Sequence, residues 1–130
     1  MRTTRVFVID DDHSVRRSVS RLLKAAGFRV EAFESGQAFL KRAPPWGDHC
    51  LVVDVRMPGM SALELYRALR AARRYSPMVF ITAHGTEEIR RDLPGKTVLA
   101  KPLEADVLIR AIDEAALRGY SGKRTPAARK

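Results

Sequence analysis

The sequence predicts an α/β fold in which one parallel β-sheet is covered by helices on both faces. Short apolar runs alternate with amphipathic stretches five times along 130 residues, a length that suits one domain. The apolar runs are rich in β-branched residues, as expected for strands that are buried on both faces. No internal repeat or low-complexity segment interrupts this alternation before the C-terminal tail.

The first three strands are predicted from apolar runs, two of which end at an aspartate. Residues 6–9 precede Asp10, and residues 50–53 precede Asp54. The run between them, residues 28–33, is less apolar, which places this strand near an edge of the sheet.

The first two helices are predicted from their apolar spacing and their end signals. Residues 13–26 carry apolar side chains at helical spacing, and Gly27 is a typical stop. Ser35 can cap a short helix that extends through Leu40, where two following prolines end it.

The second half of the chain continues the alternation. The predicted elements are a helix from a Ser61–Glu64 capping box to about Arg73, a strand at 78–81 that ends at Thr82, a weak helix of one to two turns at 87–92, a strand at 97–100 that ends at Lys101, and a helix at 103–117.

Polar residues whose side chains can bind a metal or take part in a reaction follow four of the five strands. They are Asp10, Asp11 and Asp12 after the first strand, Asp54 after the third, Thr82 after the fourth and Lys101 after the fifth. Sites in open parallel sheets form beyond the carboxyl ends of the strands, so these residues are expected at one edge. Neighbouring carboxylates disfavour one another's ionisation, and a hard cation such as Mg²⁺ removes that conflict. An aspartate can then be the nucleophile in phosphoryl transfer, with the lysine as a positive charge and the threonine as a hydroxyl donor.

Each of these residues also has a simpler interpretation. Asp12 is expected to be a helix N-cap, and Asp54 can be an ordinary turn residue. Lys101 can be a surface lysine, and Thr82 a hydroxyl at a strand end. Their shared position at the strand ends favours a common site.

The chain resembles the response-regulator receiver domain, the CheY-like phosphoacceptor module of two-component signalling, over about residues 4–118. The matching segments are residues 8–12, 52–60, 81–83 and 100–103. The resemblance implies a single doubly wound five-stranded parallel sheet in the order 2-1-3-4-5. Five helices flank the sheet, and the fourth of them is short.

The resemblance also implies how the acidic site works. Asp54 would accept a phosphoryl group from a sensor histidine kinase or a phosphotransfer protein. Mg²⁺ would be held by Asp10, Asp11, Asp54 and the backbone carbonyl of Arg56, with Asp10 acting mainly through a bound water. The domain would be a switch rather than an enzyme, with weak self-phosphorylation and self-dephosphorylation at most.

Two further residues complete the implied switch. Lys101 would pair with Asp54 and the phosphoryl group. The resemblance also implies that the Lys101–Pro102 peptide bond is cis. Thr82 would move toward the phosphate on activation. The switch would control a downstream output protein or a C-terminal output domain, with a homodimer as one possible form.

The chain departs from the family pattern in three places. Val98 stands three residues before the lysine, where receivers usually carry an aromatic residue, and the segment from Thr82 to Lys101 is a few residues short. Arg56 lies two residues after the acceptor, where a side chain can reach the site. These departures motivate an alternative, an atypical or pseudo-receiver that docks partners with weakened phospho-coupling. A small-molecule phosphatase is disfavoured because no cap domain is evident.

Composition limits the remaining possibilities. The net charge is +9, but residues 118–130 contain five basic residues and no acidic residue; without them 19 basic residues face 15 acidic ones. We therefore divide the chain into a receiver domain (1–118) and a basic flexible tail or linker (119–130). The tail is expected either to be solvated or to make an electrostatic contact with a partner. With no helix-turn-helix pattern, direct nucleic-acid binding is disfavoured. The absence of a signal peptide or apolar span and the single Cys50 predict a cytoplasmic protein without membrane insertion.

Overall fold

Five strands form the centre of the fold in the computed structural model, which describes residues 2–42, 44–83, 90–93 and 96–128, and for residues 119–128 the backbone alone. The strands are β1 (Arg5–Ile9), β2 (Arg29–Phe33), β3 (His49–Asp54), β4 (Met78–Thr82) and β5 (Thr97–Ala100). All neighbouring pairs are parallel, and the order across the sheet is β2-β1-β3-β4-β5. The predicted fold class and strand order are confirmed, including the edge position of β2.

Helices separate the strands, as the alternating pattern predicts. They are α1 (His13–Ala25), α2 (Gly36–Leu40), α3 (Ala62–Ala71), α4, of which residues 90–92 are described, and α5 (Ala105–Ala128). The last helical residue of α4, residue 92, agrees with the predicted helix at 87–92. The predicted start of that helix lies outside the described residues.

Side-chain caps fix where three of the helices begin. The Asp12 carboxylate accepts hydrogen bonds from the first turn of α1, and the Ser35 hydroxyl accepts one from the first turn of α2. Ser61 and Glu64 form the predicted capping box at the start of α3. Gly27 follows the C-cap of α1 with a φ of 96°, a left-handed conformation that glycine adopts without a steric penalty.

Alternate side chains of the strands build two separate apolar cores. In β1, Phe7 and Ile9 pack on the side of α2 and α3, whereas Val6 and Val8 pack on the side of α1 and α5. The same alternation continues in β3, where all six residues are buried. Because successive residues of a strand point to opposite faces, these strands can be apolar throughout and still satisfy both cores.

The C-terminal helix differs from its predicted bounds. It begins at Ala105 rather than 103 and continues to Ala128, past the predicted end at Leu117. Gly119 and Gly122 each disfavour a helix by about 1 kcal/mol relative to alanine, but a helix that is already nucleated gains a hydrogen bond with each added residue. The division of the chain at residue 118 stays a prediction. No helix in the described ranges is both long and apolar enough to cross a bilayer.

Arg73, which follows the C-cap of α3, offers a test of backbone strain. Arg73 has a φ of 57°, in the left-handed region that costs a non-glycine residue about 1 kcal/mol. Arg73→Gly is expected to raise the free energy of unfolding by roughly 0.5–1 kcal/mol, measured by urea denaturation. Arg73→Ala is the matched control, because its Cβ keeps the strain. Equal stability of the two variants would show that Arg73 is not strained.

Candidate functional site

The pairing of β1 with β3 places two buried aspartates next to each other. The register joins Val8 to Val52 and Ile9 to Val53, so the next residues along the two chains are Asp10 and Asp54. Asp10 is fully buried, and Asp54 is only 7% exposed. Parallel pairing in this register therefore brings together two carboxylates that lie 44 positions apart in the sequence.

Asp11 completes an acidic cluster at this edge of the sheet. One carboxylate oxygen from each of Asp10, Asp11 and Asp54 lies within 4.8 Å of the other two. The Asp11 side chain is exposed, so the cluster opens to solvent on its side. The arrangement is a small acidic pocket with a buried floor.

The ends of β4 and β5 supply the other side of the pocket. The Lys101 ammonium lies 3.4 Å from Asp10 Oδ2 and 3.7 Å from Asp54 Oδ1. Its backbone N–H donates to the carbonyl of Thr82 at 2.8 Å, which ties the two strand ends together. Thr82 is 1% exposed and follows Ile81, the residue paired with Asp54. The Lys101–Pro102 peptide bond is cis, as predicted.

The electrostatic balance of the pocket is negative. Burial, and then the nearby charge of Asp10, raise the pKa of Asp54 to about 6. Lys101 opposes this rise and Asp11 adds to it, whereas a hydrogen bond from the backbone N–H of Arg56 lowers the pKa. One lysine therefore does not compensate the three clustered carboxylates.

This donor set fits a hard divalent cation. Three carboxylates offer oxygen ligands, which are the ligands that Mg²⁺ and Ca²⁺ prefer. The elevated pKa of Asp54 reflects a free-energy cost of ionisation, and a bound cation would lower that cost. The partly buried Lys101 near the same carboxylates gives a second positive charge for an anionic ligand.

The loop between β1 and α1 is held by contacts that fix Asp10. The backbone N–H of Asp12 donates to Asp10 Oδ1 at 2.9 Å. Arg16, one turn into α1, donates through Nη1 to the backbone carbonyl of Asp10 at 2.7 Å, and its Nη2 lies 3.2 Å from Nδ1 of His13. The first helix therefore positions the backbone from which the acidic side chains project.

The structure brings most of the sequence-predicted residues together. Asp10, Asp11, Asp54 and Lys101 are in direct proximity, and Thr82 lies at the same edge of the sheet. The side chain of Arg56 is exposed, and the carbonyl role predicted for it stays a prediction.

Two contacts of the site are absent from the sequence prediction. One is the hydrogen bond from the Arg56 backbone N–H to Asp54, and the other is the bond from Arg16 to the Asp10 carbonyl. An arginine one turn after three aspartates is a weak signal for the second contact. The first has no side-chain signal at all.

Three residues that the sequence left outside the site are structural. Cys50 is fully buried, and burial raises the pKa of its thiol to about 12. Trp46 packs into the core beside α2. His49 is buried, with its ring nitrogens 2.8 Å from the Gly47 carbonyl and the Ser76 hydroxyl.

Comparison with known proteins places this architecture in a family. Residues 6–113 match the family model of the response regulator receiver domain. The transcriptional regulatory protein FixJ of Bradyrhizobium diazoefficiens is 38% identical over 113 residues, which cover 85% of this chain and 55% of that protein. Nodulation protein W of the same organism is 38% identical over 110 residues, which cover 82% of this chain and 48% of that protein. The chain thus spans about half the length of these relatives.

Solved structures agree with the sequence relatives. The crystal structure of FixJ-N superposes with a TM-score of 0.81 at 36% identity, over 89% of this chain and 95% of that one. Chemotaxis protein CheY4 of Vibrio cholerae gives a TM-score of 0.77 at 28% identity, over 88% of this chain and 99% of that one. The chain belongs to the family of response regulator receiver domains, the phosphoacceptor modules of two-component signalling.

Proposed function

We propose that this domain accepts a phosphoryl group on Asp54 from a phosphohistidine of a sensor kinase or phosphotransfer protein. A carboxylate oxygen of Asp54 attacks phosphorus and forms an O–P bond while the N–P bond breaks. The histidine nitrogen keeps the electron pair and takes up a proton. The observation that carries the proposal is the acidic cluster with Lys101 within 3.4 and 3.7 Å of two of its carboxylates.

The proposed Mg²⁺ ligands are Asp10, Asp11, Asp54 and the backbone carbonyl of Arg56, with Asp10 acting mainly through water. When bound, Mg²⁺ would supply positive charge against the phosphoryl oxygens. One carboxylate oxygen from each of Asp10, Asp11 and Asp54 lies within 4.8 Å of the other two, which supports the assignment of these residues as ligands of one cation.

Lys101 and Thr82 are proposed to respond to the phosphoryl group. The ammonium group already bridges Asp10 and Asp54, so a phosphoryl oxygen on Asp54 would lie within reach of the same positive charge. The Thr82 hydroxyl is proposed to donate a hydrogen bond to a second phosphoryl oxygen. The backbone hydrogen bond from Lys101 to Thr82 links the ends of β4 and β5, which are proposed to move together.

The output is proposed to be the control of a downstream protein or of a C-terminal domain. FixJ is named a transcriptional regulatory protein, and this chain corresponds to about half of it. We infer transcriptional output on that basis. The domain itself would act as a signalling switch rather than as an enzyme with turnover.

The direct test is incubation with acetyl phosphate, with and without Mg²⁺. Intact-protein mass spectrometry is expected to detect one added phosphoryl group only when Mg²⁺ is present. An equal gain in the presence of a chelator would contradict the proposed metal dependence. No gain under any condition would contradict phosphoryl acceptance.

Arg16 provides a prediction about positioning of the metal ligands. Arg16→Ala removes the bond to the Asp10 carbonyl and is expected to weaken Mg²⁺ binding by about tenfold, since outer contacts orient metal ligands. Arg17→Ala is the matched control, because Arg17 is exposed and its substitution removes the same charge from the same helix. Titration calorimetry measures both affinities. If the two variants lose affinity equally, charge rather than positioning accounts for the effect.

A second candidate is a docking module whose phosphorylation is weakly coupled to its output. Val98 favours this candidate because it is buried in β5, with 3% exposure, in place of the larger side chain usual in the family. Beryllofluoride with Mg²⁺ mimics the phosphoryl group in an NMR titration. Shifts near Asp54 that do not extend to residues 96–100 would favour weak coupling. Light scattering of the same samples would test the proposed homodimer.

A further inference from the structure

Cations and aromatic rings alternate along one surface that runs across α3. The Lys96 ammonium lies 4.7 Å from the centre of the Tyr66 ring, and the Arg70 guanidinium lies 5.7 Å from the same ring. Arg70 also lies 5.3 Å from the centre of the Tyr75 ring. Three segments that are separate in sequence thus meet in one cation–π arrangement.

The same surface continues past the end of α3. The Arg74 guanidinium lies 5.4 Å from the centre of the Trp46 ring. Arg73 and Arg74, with Tyr75 and Ser76, line a cavity of about 340 Å³ that Trp46 also borders. We call this surface the α3 strip. Its cations are Arg70, Arg73, Arg74 and Lys96, and its rings are Trp46, Tyr66 and Tyr75.

None of the four cations of the α3 strip forms an ion pair with a described residue. The ion pairs of the described residues are formed by cations outside the strip, and no acidic side chain lines the cavity. All four cations of the strip are exposed, and Tyr75 is 47% exposed. A cation at a helix C-terminus stabilises the helix, which accounts in part for Arg70. It does not account for Lys96, which comes from the segment before β5.

We propose that the α3 strip binds an acidic segment of a partner protein, with one carboxylate side chain in the cavity between Arg73 and Arg74. The planar guanidinium group matches a carboxylate with two parallel hydrogen bonds. Arginine, tyrosine and tryptophan are the residues most enriched among those that dominate protein interfaces. The cation–π contacts orient the side chains before binding, which lowers the entropy cost of ordering them.

The ring contacts favour a protein segment over single-stranded nucleic acid. Nucleic-acid strands bind such surfaces by stacking bases on open ring faces. In the α3 strip, Trp46 is 7% exposed, and Tyr66 is partly buried with two cations against its ring. Only Tyr75 offers substantial exposed ring area within this strip.

The cavity end of the α3 strip lies at the opposite end of the strands from the acidic pocket. Trp46 precedes β3, and Tyr75 precedes β4, whereas Asp54 and Thr82 are the last residues of those strands. A partner on the strip would therefore leave the acidic pocket open. This inference does not depend on phosphorylation of Asp54.

Fluorescence anisotropy of a dye-labelled oligo-glutamate peptide tests the proposal at low salt. The strip variant combines Arg70→Ala, Arg73→Ala and Arg74→Ala. The matched control combines Arg17→Ala, Arg21→Ala and Lys24→Ala, which removes three exposed charges from α1. We expect the strip variant to lose about tenfold in affinity and the control less than about twofold, since each exposed pair contributes a fraction of a kcal/mol.

Other outcomes would overturn the proposal. Equal losses of peptide affinity in the two variants would mean that the peptide binds through general charge attraction rather than at the strip. No binding of the peptide to the wild-type chain would exclude the proposal. Tighter binding of a labelled oligothymidylate of the same charge, lost in the strip variant, would make the strip a nucleic-acid surface instead. NMR shifts of the wild-type chain with the peptide give a second readout that needs no variant. They are expected at residues 66–76 and 96, and shifts confined to other residues would contradict the proposed location.

Discussion

The Asp54→Asn variant is expected to gain no phosphoryl group from acetyl phosphate and Mg²⁺ under conditions that fully label the wild-type chain. The amide has nearly the shape of the carboxylate but lacks the anionic oxygen that attacks phosphorus. It also removes one of the three clustered carboxylates, which weakens the proposed metal site. Both effects act in the same direction, so the expected loss is complete by intact-protein mass spectrometry.

Asp12→Asn is the matched control for this substitution. Asp12 caps α1 through its carboxylate and is exposed, and asparagine caps helices about as well. The control is therefore expected to keep its fold and its full labelling. Labelling of Asp54→Asn at the wild-type level would mean that another residue is the acceptor.

The second large expected effect is a dependence of stability on pH in the absence of Mg²⁺. Burial and the charge of Asp10 raise the pKa of Asp54 from 3.8 to about 6 in the folded chain. The folded state therefore binds the proton more tightly than the unfolded state. This contribution to stability is fully present below pH 3.8 and is lost as pH rises through about 6. A shift of this size corresponds to roughly 2–3 kcal/mol.

Comparison with Asp54→Asn isolates this contribution from other titrating groups. At pH 8 the variant is expected to be more stable than the wild-type chain by roughly 2–3 kcal/mol, because it carries no buried charge at this position. Near pH 4 the two proteins are expected to be about equally stable. Urea denaturation at both pH values measures the difference.

Mg²⁺ provides the control for this second prediction. A bound cation stabilises ionised Asp54 in the folded state, so added Mg²⁺ is expected to narrow the gap at pH 8. It is expected to stabilise the variant less, since one proposed ligand is missing. A gap between wild type and variant that is the same at pH 4 and pH 8 would contradict the elevated pKa of Asp54.

Most of the fold could be predicted from the sequence because its determinants are local. The apolar runs, the cap at Ser35 and the Ser61–Glu64 box act within a few residues, and they define where elements begin. The alternation of strands and helices then restricts the topology. The predicted end of α5, at Leu117, comes too early because Gly119 and Gly122 are typical signals of a helix end. Their effect is weaker than the tendency of a nucleated helix to propagate.

The candidate site was predictable to a similar degree, and for a related reason. Parallel strands align their carboxyl ends, so Asp10, Asp54 and Lys101 could be assigned to one edge without knowledge of side-chain positions. The α3 strip could not be predicted in this way. Its contacts, such as that between Lys96 and Tyr66, depend on how α3 packs beside the segment before β5.

The alternation of the strands between two cores also limits which changes in chain length the domain can tolerate. Asp54 lies two residues after Val52 and so on the same side of β3. A single inserted or deleted residue within β3 would turn every later side chain of the strand to the other face. Leu51 and Val52 would then exchange cores, and the carboxylate would leave the pocket. Loop insertions shift no such register, so length variation among relatives should be concentrated between the strands and be absent from within β1 and β3.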